Sequence, residues 1–177
     1  MSKLMNRIIR ASKLEVDLYE EVEADSGALG QAMGVVVLSS IAAGIGSITQ
    51  AGLGGILMGT IGALAGWVVW GYLTYFIGTK LLPEPQTRSH PKELLRTIGF
   101  SSSPGFIRLL GIIPGFTGII FLVASIWMMI AMVIAVRQAL DYKSTFRAVG
   151  VCLIGWIIQL VILALLFSVA GGIGKLA

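Results

Sequence analysis

Few side chains in this chain have the chemistry to act on anything. His90 is the only histidine and Cys152 the only cysteine, so neither a multi-histidine metal site nor an internal disulfide can be built. His90 lies in a proline-flanked polar stretch and reads as a solvated loop residue. The carboxylates Glu20, Glu21, Glu23 and Asp25 crowd together ahead of the first long apolar run. They read either as a capped helix start paired with the chain's own basic loops, or, together with Tyr19, as a docking surface for a basic partner. Arg108 and Gln159 stand out as polar side chains in otherwise apolar sequence. Arg108 suits a lipid phosphate or a cavity wall; equally, it can snorkel to an interface or hold carbonyls freed by Pro104. Gln159 suits a hydrogen bond between helices. No carboxylate pair, serine–histidine constellation or HExxH sequence accompanies them, so neither an enzyme nor a bound cofactor or metal is expected.

The composition says where such residues must work. Of 177 residues, 56% are hydrophobic and 12% charged, and the mean hydropathy is +0.90. A soluble domain carries about 25% charged residues, so this chain lacks the charge to coat a water-facing surface. The net charge of +4 comes from dispersed basic residues and does not point to nucleic acid.

Charge-free stretches locate the membrane segments. No Asp, Glu, Lys or Arg occurs between Asp25 and Lys80, between Arg108 and Arg137, or between Arg147 and Lys175. A spanning helix needs about 20 apolar residues, so the first stretch holds two spans and the others one each. The polar, glycine-rich patch Thr49 to Gly54 is the expected turn between spans at 28–48 and 56–78. Further spans are expected at 115–136 and 148–170, the last fraying into Gly171, Gly172 and Gly174. A fifth segment, 98–114, is interrupted by Pro104, three serines and Arg108, so it is read as short or re-entrant.

Basic residues concentrate on the cytoplasmic side of membrane proteins. Lys3, Arg7, Arg10 and Lys13 precede the first span, Lys80, Arg88, Lys92 and Arg96 follow the second, and Arg137, Lys143 and Arg147 precede the last. These three clusters share one side only if 98–114 enters the membrane. The reading is therefore all-α: a polytopic transmembrane bundle of five membrane segments, N-terminus inside and C-terminus outside. Residues 1–27 form a cytoplasmic part and 28–174 the transmembrane part.

In the cytoplasmic part, Leu4, Met5, Ile8 and Ile9 recur at helical spacing, with Arg7 and Arg10 elsewhere on the turn. This suits a helix lying on an anionic leaflet, or a basic start held by its apolar face against the bundle. The acidic stretch between the basic start and the first apolar run is not the order of a signal peptide. The linker 83–92 is rigid and polar, and a brief amphipathic helix from Lys92 to Arg96 ends at Gly99. Within the second span, Gly55, Gly59, Gly62 and Gly66 recur every three or four residues. Such spacing is expected to pack helices tightly inside the bundle, ahead of forming a homodimer face.

Together these phrases resemble a family. LYEEVEAD (Leu18 to Asp25) is followed by a small-residue-rich pair of helices and by SSSPGFIRLLGIIPG. A span then runs into AVRQALDY (Ala135 to Tyr142), and a last span opens with AVGVCLIGWIIQLV. This resembles a prokaryotic member of the Yip1 domain family. The resemblance implies five membrane segments and a cytoplasmic N-terminus. Eukaryotic relatives work in vesicle traffic and associate with prenylated Rab GTPases and with each other. Rab binding is not carried over, because the cytoplasmic region ahead of the first span is short.

The leading expectation is a non-enzymatic integral membrane protein of a prokaryotic plasma membrane. It would organise membrane or scaffold partners through its cytoplasmic face, with lipids and a membrane-protein partner or a second copy as contacts. The alternatives are a small accessory subunit of a larger membrane complex, and a transporter or channel for a small or lipid-like solute.

Overall fold

The computed structural model describes the backbone of residues 2–173 and, apart from residues 51, 163 and 165–173, their side chains. Every regular element among the described residues is helical. Helix α1 spans Lys3–Ser12, α2 Val16–Ala24, α3 Ala28–Gly46, α4 Ile48–Phe76, α5 Pro91–Phe100, α6 Thr117–Ala139 and α7 Thr145–Ile173. A π-helical turn, Ile77–Leu81, extends α4, and a 3₁₀ segment, Ser103–Ile112, follows α5. Four helical stretches are long and apolar enough to cross a membrane: Ala28–Gly46, Gly52–Leu81, Thr117–Ala139 and Thr145–Ile162.

The expected turn at 49–54 falls where the two spans do part, between Gly46 and Gly52, with a short helical stretch from Ile48 inside it. Ser47 alone separates α3 from α4, its hydroxyl donating to the Ala43 carbonyl at 2.9 Å. The break is completed at Gly52, whose φ of 62° and ψ of −174° lie outside the helical region. Only glycine reaches such a conformation without strain, so Ser47 and Gly52 together make the turn between the two spans. At its other end α4 widens into the π turn, and the Tyr142 hydroxyl lies 2.9 Å from Gly78 O and 2.7 Å from Leu82 O, serving carbonyls at that turn.

The third segment also differs from its predicted bounds. Rather than a brief surface helix and then a segment at 98–114, α5 runs to Phe100 with Leu94 to Phe100 all buried. It opens with a capping box: His90 Nδ1 accepts from the Lys92 N–H, and Glu93 accepts from the His90 N–H. His90 is thus a helix cap and not a free loop side chain. Pro104 then removes a donor, and the chain continues as 3₁₀ helix for ten residues, unusually long for that form. At three residues per turn, Gly105, Arg108 and Gly111 fall on one edge. That edge lies on α3: a Cβ built on Gly105 would meet Ser39, and one on Gly111 would lie 3.0 Å from Gly46 O. A Cβ on Gly99 would come within 2.6 Å of Ala32. From Ala32 through Ser39 to Gly46, α3 is therefore matched by α5 and the 3₁₀ segment running alongside in the same direction.

Around this central pair, α4 returns beside α3 and α5, and α6 beside the 3₁₀ segment. Gly71 lies against Leu95, Gly78 against Leu140, and Gly155 of α7 against Trp70. One core joins these helices to the N-terminal pair, for Leu18, Tyr19 and Val22 of α2 are fully buried in it. The charged connections 82–90 and 140–144 gather at the same end of the bundle as α1 and α2. Glu84 ties the two connections together by accepting from the Lys143 and Ser144 amides at 3.0 and 3.3 Å. Residues 174–177 lie outside the described part, and with them Gly174 and the expected tail.

Candidate functional site

Two regions gather the polar side chains. At the charged end, α1 and α2 form a hairpin clamped by Arg7, which is 1% exposed. Its guanidinium donates to Glu21 Oε1 at 2.9 Å, Gln31 Oε1 at 2.9 Å and Asp25 Oδ2 at 2.7 Å. Arg10 adds Glu15 and Glu21, and Lys3 reaches Asp25 at 3.1 Å. Arg7 holds the Asp25 carboxyl down at about 2, helped by Lys3 and the Gly27 N–H, and Arg10 and then Arg7 lower Glu21. The acidic stretch thus pairs with the basic start rather than with the later basic loops. Buried Arg7 and buried Tyr19 present no surface to a partner or a lipid, which corrects the expectation for both.

Beside the clamp, a polar cavity of about 760 Å³ opens between α2, α5 and the connection after α6. Glu20 and Glu23 of α2, Glu93 of α5, Asp141 and the cationic Arg137 and Lys143 line it. Glu20 accepts from Gln138 Nε2 at 2.7 Å. Arg96, the nearest buried cation, spends its donors on the backbone carbonyls of Val22 and Glu23, leaving the Glu23 carboxyl without a close counter-ion. Burial, and then the charges of Asp141 and Glu93, push Glu23 up to about 7. Among the described residues no group of three or more His, Cys, Asp or Glu is placed to hold a metal ion.

The second region lies among the long helices. A cavity of about 490 Å³ is walled by α3, α4, the 3₁₀ segment, α6 and α7 together. Arg108, Gln159, Gly55, Gly59 and Gly66 all border it, so the structure unites residues that the sequence left in separate roles. Arg108 donates to Ser125 Oγ at 3.1 Å and its guanidinium carbon lies 5.5 Å from the Phe121 ring centre. Its Nε is buried and has no hydrogen-bond partner among the described residues. Trp70 and Trp156 stack at 6.4 Å at the other end.

Among the described residues the glycine stripe does not pack a neighbouring helix as expected: a Cβ built on Gly59, Gly62 or Gly66 meets none of them within 4 Å, and Gly55 is half-buried beside them. Gln159 is exposed and makes no hydrogen bond among the described residues, so it joins no helices there. Close contacts are made instead at Gly44, Gly46, Gly71, Gly78, Gly99, Gly105, Gly111 and Gly155. Two of these, Gly105 and Gly111, stand in the run Ser102, Gly105, Arg108, Gly111, whose period of three signals a 3₁₀ edge. Glu84 and Trp70 carried no local signal, since their partners are distant in sequence.

Comparison with known proteins gives one match. A family model described as the Yip1 domain covers residues 19–169, from α2 into α7. No curated protein and no solved structure matches the chain.

Proposed function

Because the chain belongs to the Yip1 domain family, whose members are non-enzymatic membrane proteins, we propose that this multi-pass protein organises membrane and scaffolds partners. In this reading it has five membrane segments, the third formed by α5 and the 3₁₀ segment. The register of Gly99 on Ala32, Gly105 on Ser39 and Gly111 on Gly46 supports a full crossing. An α-helix of ten residues contributes about 15 Å and a 3₁₀ run of ten about 20 Å, enough together for a core of about 30 Å. The basic residues then share one end, which the distribution of positive charge makes cytoplasmic. The N-terminus is inside and the last helix runs outward, in a plasma membrane of prokaryotic type.

The observation that carries the scaffold reading is the clamped cytoplasmic cap. Arg7 fixes α1 and α2 to the bundle, and they present Glu20 and Glu23 beside Asp141 around a polar hollow. A rigid, partly acidic face of this kind suits a basic segment of a protein partner. Purification in mild detergent, followed by mass analysis of the intact assembly, tests it. A monomer or homo-oligomer that recruits partners in less than fixed ratio is expected. A constant stoichiometry with foreign subunits would make the chain an accessory subunit of a larger complex instead.

A further inference from the structure

Arg108 is the single charged side chain between Arg96 and Arg137. No carboxylate among the described residues pairs with it. Arg108 is half-buried, with its Nε fully covered; a cation partly withdrawn from water without a counter-ion is costly, and in lipid surroundings it is relieved by turning outward to the interface or by meeting an anion. Arg108 does not turn outward. It reaches Ser125, eight residues into α6, which is roughly 12 Å from the start of that helix at 1.5 Å per residue. There it faces the cavity among the long helices, and its Nε is unsatisfied.

The cavity has two unlike ends. Arg108 and Ser47 lie at one, near Gly55; Trp67, Trp70 and Trp156 lie at the other. From Gly55 to Trp70, α4 rises about 22 Å, so the cavity is elongated along the helix axes. Gly59, Gly66 and Gln159 border it and are exposed, which opens it sideways towards lipid. Trp70 is 7% exposed, and its indole N–H has no acceptor among the described residues.

We propose that this cavity binds one anionic phospholipid, its phosphate on Arg108 and one acyl chain along the glycine edge of α4 towards the tryptophans. The charge requirement selects an anion, the surroundings supply it as a lipid, and the apolar length beyond Arg108 accommodates a chain. Gly59 and Gly66, which line the cavity and meet no described residue within 4 Å, then form the floor of the acyl groove. The assignment needs only that the helices lie in a membrane, so it stands or falls separately from the scaffold reading.

Tryptophan fluorescence reads it directly, because bromine quenches on contact. The full chain is reconstituted in phosphatidylcholine vesicles containing either phosphatidylglycerol or phosphatidylcholine brominated on an acyl chain. Half-maximal quenching is expected at about fivefold lower mole fraction for the brominated phosphatidylglycerol. Arg108→Gln should abolish that preference and Arg108→Lys should keep part of it. Gly59→Leu, which enters open space, should weaken quenching by both lipids. Equal quenching of the unaltered protein by the two lipids would overturn the proposal, without recourse to any variant. So would disulfide-linked dimers of a Gly59→Cys protein, which would put a second copy in the groove.

Discussion

Arg7 and Arg108 are the same side chain in opposite situations. Arg7 is closed off by its own chain, with Glu21, Asp25 and Gln31 filling its donors. Arg108 has a hydroxyl, an aromatic face and an unsatisfied Nε. The difference follows from where the carboxylates are. The charged end supplies counter-ions, while residues 97–136 contain no acidic residue, so Arg108 is left with a hydroxyl and an aromatic ring in place of a carboxylate. The glycines divide in the same way. Gly99 of α5, Gly105 and Gly111 of the 3₁₀ segment and Gly155 of α7 sit against side chains or backbone, whereas Gly59, Gly62 and Gly66 of α4 meet no described residue within 4 Å. One part of the molecule is finished by folding, and the other awaits its membrane.

The contrast can be broken first at Arg7. Arg7→Ala should cost about 3 kcal/mol, less than the full penalty of a broken buried pair because Glu21 and Asp25 are partly exposed and rehydrate. Thermal unfolding in mild detergent measures it, and a loss no greater than that of Arg10→Ala would mean that the cap is not clamped there. The glycines come next. Gly99→Ala puts a Cβ 2.6 Å from the Ala32 Cβ and should cost about 2 kcal/mol through overpacking.

Glu23 sharpens the comparison through pH. Its carboxyl titrates near 7 when folded and near 4.3 in an unfolded chain. Between those values the native state binds the extra proton, so stability falls as pH rises through the window and levels off above it. Glu23→Gln should remove that slope, gaining about 1 kcal/mol at pH 8 after allowance for solvent screening and nothing at pH 4. Unfolding curves at the two pH values decide it; a parallel offset at both would show that neither burial nor the charges of Asp141 and Glu93 raise this group. The smallest effect belongs to Gly62→Ala. Open space and a helical backbone predict neutrality or a gain of about 0.5 kcal/mol, and a clear loss would place an unseen neighbour against α4.

Much of the fold was legible because charge-free length is a direct physical requirement of a spanning helix. The helices at 28–46, 117–139 and 145–173 follow from it. The third segment was less so, because hydropathy averages over the period of three that puts Gly105, Arg108 and Gly111 on α3. At the sites, spacing revealed the glycine stripe but not what lay opposite it, and Gly59 proved to face a void. Amphipathic spacing located α1 without telling that Arg7 turns into the bundle, since its partners are 14 to 24 residues away. The clamp of Glu84 on the Lys143 amide, 59 residues distant, leaves no trace in local sequence at all.

The central claim is that α5 and the 3₁₀ segment carry the chain across the membrane. Two single-cysteine substitutions at exposed positions, Arg88→Cys before the segment and Phe116→Cys after it, test it in sealed, oriented vesicles with a membrane-impermeant maleimide; the native Cys152 is buried. Labelling from opposite faces is the predicted result. Labelling of both from the same face would make the segment re-entrant and would contradict the five-segment account.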